Sequence, residues 1–232
     1  MDKISLNIAK GTVILGHEVD HVIGRGFESE VYAVARLNAK SLHAFKIIPI
    51  TTDLTEDYVI HKARAFSRFS PTGATPEYHF MDFINLEDGS KAGVICFEYV
   101  HGTQLDTFIT SPGIDAEGRY VIFSQIVDVL GRIRSCGYAV ADFSTGENIL
   151  VRHQTQEPVF VDFFSGLPNK PNGYYHNEFD ELETLMKLLF TGHQDANRFK
   201  ELEVEFIQLR KHHYGFNKPI SYATLGHHLG FR

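Results

Sequence analysis

The alternation of apolar and polar positions divides the chain into two parts. Short runs rich in β-branched and aromatic residues, at 19–32, 32–37 and 42–50, read as strands. They are interrupted by Gly24, Gly26 and the Asn38-Ala39-Lys40 turn. The period then changes. In 53–69, Glu56, Val59, Ala63 and Phe66 recur at helical spacing behind Asp53, the expected N-cap. Two further strand-like runs follow at 78–85 and 92–99. Beyond about residue 100 the pattern is mainly helical. Ile122, Ile126, Val129, Leu130 and Ile133 line one face of 119–135. Leu182, Leu185, Met186 and Leu189 do the same in 178–190, and Phe199, Leu202, Phe206 and Leu209 in 195–212. Two short strand runs, 149–152 and 159–162, lie between the first two helices. The expectation is an α+β chain with a strand-rich part over about 1–100 and a helical part over about 101–232. No flexible linker separates them, and no internal repeat is visible.

Composition narrows the function classes. The 232 residues carry 22 basic and 29 acidic side chains, a formal net charge of −7. Such a charge disfavours a general nucleic-acid or anionic-membrane binder. Two cysteines, Cys96 and Cys136, cannot build a disulfide framework or a four-thiolate zinc site. Their apolar settings predict reduced core residues of an intracellular protein. No run approaches the ~18–20 apolar residues of a membrane span, and Met-Asp-Lys-Ile-Ser does not begin a secretory signal. Adjacent pairs His212-His213 and His227-His228 point about 100° apart on a helix and chelate poorly together. They read as exposed. Residues 193–232 hold six basic against four acidic side chains, a mildly basic surface best read as a solvated face.

Four segments carry candidate chemistry. In 23–32, Gly24 and Gly26 lie between predicted strands, where backbone N–H groups can approach a phosphate; an ordinary glycine-rich hairpin is the alternative. Lys46 is embedded in an apolar strand, Ala44-Phe45-Lys46-Ile47-Ile48. A buried ammonium there needs a carboxylate or a ligand phosphate, unless the strand is an edge with Lys46 facing water. Asp142 and Asn148 share a loop between a long helix and a short strand, and suit a hydroxyl nucleophile and a hard cation respectively. Asp162 ends an apolar strand, where burial without a partner is unfavourable.

In this order and spacing the parts resemble the protein-kinase-like fold, over about residues 19 to 192. The resemblance implies a bilobal α+β domain over 1–232, a β-rich N-lobe (about 1–100) and a reduced helical C-lobe (about 101–232). It implies ATP and Mg²⁺ as cofactors, and residue roles as follows. Gly24 and Gly26 cover the phosphates, and Val31 packs on adenine. Lys46 contacts the α- and β-phosphates. In Ile95-Cys96-Phe97-Glu98-Tyr99-Val100-His101-Gly102, which resembles a kinase hinge, Phe97 is the gatekeeper, while the Glu98 C=O and Val100 N–H meet adenine. Asp142 is the catalytic aspartate, and Asn148 and Asp162 are the metal ligands. Asp180 matches the aspartate that braces the catalytic loop.

The departures are as informative. Val140-Ala141 stands where the family has histidine-arginine, so no phosphorylated activation loop finds its usual partner. The Asp142–Asn148 spacing is six, one longer than the family pattern. Ser144 replaces the lysine usual in Ser/Thr kinases, and Asp162-Phe163-Phe164 lacks the final glycine. Lys62 occupies the place of the glutamate that pairs with the strand lysine; Glu56, on the inward face by periodicity, is the expected substitute partner of Lys46. Some 15 to 18 residues separate Asp162 from the next helix. This reduced form looks like the minimal secreted effector kinases of pathogenic bacteria, with Bud32-type and small-molecule phosphotransferases more distant. The implied activity is γ-phosphoryl transfer to a hydroxyl, on Ser/Thr of a protein. The alternatives are a pseudokinase acting as a binding module, a small-molecule kinase, or AMP transfer. An activating protein partner is expected, with no nucleic acid and no membrane span. The expected location is cytoplasmic, or a host cytosol reached without a cleavable signal.

Overall fold

The computed structural model describes residues 3–37, 39, 41–162, 164–166, 174–190 and 204, with backbone alone at 139, 164–166 and 174–179. The chain divides into two compact units, Met1–Pro71 with Thr75–Val100, and Thr72–Ala74 with His101–Arg232.

The first unit contains β1 (Val13–Ile14), β2 (His17–Arg25), β3 (Glu30–Arg36), β4 (Leu42–Pro49), α1 (Glu56–Phe69), β5 (Tyr78–Asn85) and β6 (Lys91–Glu98). The strands form one antiparallel sheet in the order β1-β2-β3-β4-β6-β5. Strand β4, which carries Lys46, is therefore interior and not an edge. One face buries Val19, Tyr32, Val34, Phe45, Ile47, Val94 and Cys96, and the N-terminal residues Leu6 and Ile8 pack over it. Burial pushes the Cys96 thiol up to about 12, the mark of an inert core cysteine. The other face receives α1. Gly93 of β6 lies against Val59, so close that a Cβ there would be 2.4 Å from Val59 Cγ1. Helix α1 is capped by Thr55, whose Oγ1 accepts from the Tyr58 N–H at 3.3 Å, and not by Asp53. Glu56 and Asp57 open its first turn, where the helix dipole favours carboxylates.

The N-terminal segment is tied down by a buried carboxylate. Glu30 is fully buried; its Oε2 accepts from the Leu6 N–H at 2.7 Å and from the Tyr32 hydroxyl at 2.6 Å, and its Oε1 from Arg25 Nε at 2.5 Å. Burial raises its pKa, but the hydrogen bonds from Tyr32, Arg25 and Leu6 outweigh it and hold the carboxyl below the usual range.

The second unit contains β7 (Gly102–Gln104), α2 (Leu105–Thr110), α3 (Ala116–Ser135), β8 (Ala139–Ala141), β9 (Ile149–Arg152), β10 (Pro158–Phe160), β11 (Phe164–Gly166) and α4 (Tyr174–Phe190). Strands β10-β9-β7 form a small sheet and β8 pairs with β11. The expected stripe on α3 is buried throughout. Arg119 is also buried there, donating to the Leu189 C=O of α4 at 3.1 Å and to the Ile109 C=O of α2. Cys136 is a half-buried helix C-cap rather than a core residue. Helix α4 begins at Tyr174, four residues before the expected start. The helix expected over 195–212 and both histidine pairs lie outside the described residues, residue 204 excepted. Among the described residues no helix is long and apolar enough to cross a membrane.

Candidate active site

In the first unit the sheet register does the positioning. Gly24 pairs with Val31, Val31 with Lys46, and Lys46 with Ile95, so these residues form one row across four strands. Cross-strand partners share a face, and this is the face on which α1 packs. Lys46 is 2% exposed there. Neither Gly24 nor Gly26 has a positive φ, and a Cβ at either would meet its nearest neighbour at an ordinary 3.7 or 3.6 Å. Nothing in the chain itself requires glycine at these two positions. Gly102 differs, since a Cβ there would lie 2.7 Å from the Val151 carbonyl oxygen. Phe97 is buried, its ring 4.6 Å from that of Phe66 on α1 and 6.4 Å from Tyr78. Glu98 ends β6; its N–H donates to the Glu77 C=O at 2.8 Å and its carboxylate accepts from the Glu77 N–H at 3.2 Å. Val100, half-buried, closes the unit.

Glu56 is not the partner of Lys46. Its carboxylate, about half exposed, pairs with Lys91 of β6 at 2.7 Å. Periodicity put Glu56 on the inward face with Val59, but Glu56 is the first residue of α1, exposed at the helix start, and it meets Lys91. Lys62, in the family's glutamate position, is buried and paired with Glu28 at 3.0 Å.

In the second unit two short ladders bracket the loop from Asp142 to Asn148. Strand β8 ends at Ala141, which pairs with Phe164 of β11, so Asp142 leaves one strand of the ladder as Asp162 leads into the other. Phe164, where the family has glycine, begins a strand, and strand backbone needs no glycine. The Val161 N–H donates to the Asn148 C=O at 3.0 Å, which sets Asp162 beside Asn148. Phe143 is buried against Phe160 at 5.7 Å and anchors the loop.

Asp142 itself is strained. Its φ is +68°, a left-handed conformation uncommon for a residue with a side chain. Two side chains hold it. Glu181 of α4 accepts the Asp142 N–H at 2.7 Å and the Phe143 N–H at 2.6 Å. Asn148 Nδ2 donates to the Asp142 C=O at 2.6 Å and to Asp142 Oδ2 at 3.1 Å. The extra loop residue is absorbed at Gly146, whose φ is +79° and whose N–H closes a turn on the Phe143 C=O at 3.1 Å. Asn148 thus reaches Asp142 despite the spacing of six. The carboxylate that accepts these two amides belongs to Glu181, one position along α4 from Asp180, and one position along a helix rotates the side chain by about 100°. The sequence held only a weak sign of this, a second carboxylate adjacent to the expected one.

No family model matches this sequence, and no curated protein matches it. Solved structures do. The PknI kinase domain of Mycobacterium tuberculosis superposes with a TM-score of 0.68 at 15% identity, covering 96% of this chain and 98% of that one. A double mutant of the same domain gives 0.66 at 16% identity, covering 96% and 98%. A single mutant gives 0.60 at 17%, covering 86% and 88%. The fold is that of a protein kinase. Its two parts are the β-rich and helical units described above, the bilobal α+β class expected from the motifs.

The residues also fit the groups that the kinase fold implies. Two unexplained glycines and a buried lysine lie along one row of the sheet. In the other unit, the Asn148 amide nitrogen is committed to Asp142, so its oxygen is the atom left to offer a cation. Asp162, one residue beyond the Val161 amide bonded to the Asn148 C=O, adds a carboxylate from the neighbouring stretch of chain. Both are the hard oxygen donors that Mg²⁺ takes, and Mg²⁺ commonly uses only one or two protein ligands plus substrate phosphates. Among the described residues no cluster of three or more His, Cys, Asp or Glu could hold a metal without such help.

Proposed function

We propose that the chain is a single kinase-like domain over 1–232 that transfers the γ-phosphoryl group of ATP to a hydroxyl, with Ser or Thr of a protein as acceptor. The observation that carries this reading is Asp142, held in a left-handed conformation by Glu181 and Asn148. Backbone strain of about 1–3 kcal/mol persists only where the surroundings over-determine it, and such residues cluster at functional sites.

The roles follow from the chemistry. Gly24 and Gly26 offer backbone N–H donors to phosphate oxygens, Val31 an apolar surface to the base, and Lys46 a positive charge to the α- and β-phosphates. Phe97 limits the depth available to adenine, and the Glu98 C=O and Val100 N–H pair with its edge. Asn148 and Asp162 would hold Mg²⁺, which when bound neutralises charge on the phosphate oxygens. Asp142 orients the acceptor hydroxyl and accepts its proton. Helix α4 begins only twelve positions after Asp162, which supports the reduced form found among secreted bacterial effector kinases, acting on a host protein in a host cytosol. So short a connection offers few internal contacts, which supports an activating protein partner.

The test is transfer from labelled ATP to a protein acceptor. Asp142→Ala and Asp162→Ala should each abolish transfer with the fold retained; persistence of transfer in either variant overturns the assignment. Mg·ATP should also raise the thermal midpoint of the unsubstituted protein, because a ligand of the folded state alone stabilises it. No rise at millimolar nucleotide would replace the kinase reading with that of a binding module.

A further inference from the structure

The turn between β2 and β3, which carries Gly26 and follows Gly24, is gripped by α1. Glu28 lies near its tip, and the Glu28 Oε2 accepts from the Tyr58 hydroxyl at 2.5 Å and from Lys62 Nζ at 3.0 Å. Lys62 Nζ also donates to the Tyr58 hydroxyl at 3.3 Å and stands 5.6 Å from the centre of the Tyr58 ring. Tyr58 and Lys62 are four residues apart on α1, hence on one face and able to meet at one point. The side chain of Lys62 is 8% exposed and that of Glu28 34%. The turn is also held from its other side, where the Ile4 N–H donates to the Gly26 C=O at 2.9 Å.

This arrangement inverts a charge relation. Where the kinase fold has an acidic residue on this helix facing the strand lysine, the helix here carries a buried cation, and the acid is on the turn. Separating the pair would break a charge-assisted bond at a largely buried ammonium, so turn and helix are coupled in position. A glycine-bearing turn is otherwise a low-stability element that opens readily. A ligand that needs one position of the turn binds more weakly by the fraction of time that position is populated.

We propose that Glu28, Tyr58 and Lys62 form a latch that positions the glycine-bearing turn for the phosphates of a nucleoside triphosphate, so that the placement of α1 sets nucleotide affinity. These are positioning residues, and their role rests on the kinase reading. The latch also neutralises Glu28, which would otherwise repel phosphate. Lys62→Met removes the hold and exposes that charge; Tyr58→Phe weakens the hold with no change of charge.

Two measurements on the full chain test this. Hydrogen exchange of the amides of residues 24–29, without nucleotide, should quicken about tenfold in Lys62→Met and several-fold in Tyr58→Phe, while residues 42–49 stay unchanged. Calorimetric Kd for Mg·ATP should rise about tenfold in Lys62→Met and severalfold in Tyr58→Phe, with Kd for adenosine unmoved, since adenosine does not use the turn. The paired swap Glu28→Lys with Lys62→Glu should restore both readings. If Lys62→Met fails to fold, Tyr58→Phe and the swap carry the test. Unchanged exchange in the variants overturns the latch and leaves the kinase reading standing. Parallel loss of ATP and adenosine affinity overturns its specificity for phosphate. Faster exchange in a protein that binds no Mg·ATP even unsubstituted overturns the nucleotide role and the kinase reading together.

Discussion

Glu181 should be the residue on which the loop from Asp142 to Asn148 depends. Glu181→Gln preserves shape but puts an NH₂ group where one carboxylate oxygen now faces a backbone N–H. The two bonds, at 2.7 and 2.6 Å, are charge-assisted, and such bonds contribute about 1.5–3 kcal/mol each against about 1 for neutral ones. The variant keeps at most one neutral bond and opposes two donors; with the bonds at the low end of that range, about 1.5–2 kcal/mol each, the loss is about 2–3 kcal/mol. The left-handed turn at Asp142 adds to the tendency of the loop to relax. In a chain of this size about 1 kcal/mol moves the midpoint by ~2–4 °C, so a fall of roughly 4–12 °C is expected. If the same energy is withdrawn from the productive position of Asp142, phosphoryl transfer falls by about 30- to 150-fold. The assay is scanning calorimetry beside transfer from labelled ATP, with Asp180→Asn as the control expected to lose far less. A Glu181→Gln protein with unchanged midpoint and activity, or a larger loss in Asp180→Asn, refutes the reasoning.

Three other outcomes are expected. Gly93→Ala should destabilise by about 1–3 kcal/mol in denaturant unfolding, since its Cβ would fall 2.4 Å from Val59 Cγ1, and Val59→Ala should recover part of that loss. Gly24→Ala should leave stability within about 0.5 kcal/mol, because its Cβ has ordinary room at 3.7 Å, yet weaken Mg·ATP binding in calorimetry; equal affinity would mean that nothing approaches that backbone. Glu30 has its folded pKa held below the unfolded value of about 4.3, so its contribution is full above that pH and is lost as pH falls through the folded value. The midpoint gap between the natural protein and Glu30→Gln should therefore be steady from pH 7 to 5 and close below about pH 4; a pH-independent gap would contradict the role given to the charged carboxylate.

The fold was legible because periodicity and punctuation are local. The stripe Ile122, Ile126, Val129, Leu130 and Ile133 marks α3 without any knowledge of its neighbours, and glycines with β-branched runs mark β2 to β4. Of the elements of two to six residues, β9 and β10 were expected from their apolar runs, whereas β1, β7, β8, β11 and α2 are too short to show a period and were not anticipated. Lys46 was conspicuous since an ammonium in an apolar strand demands explanation, and the register then set it in one row with Gly24 and Val31.

Local pattern supplied the set of parts: strand-rich half, helical half, two glycines, one strand lysine, and Asp142, Asn148 and Asp162 in order. Packing settled which charges meet. Glu56 turned to Lys91, Glu28 to Lys62, Glu30 to Arg25, and Glu181 rather than Asp180 took the Asp142 N–H. A carboxylate's partner depends on where a helix starts, on a rotation of about 100° per residue, and on strands distant in sequence. Those quantities come from packing, and no local pattern of residues encodes them.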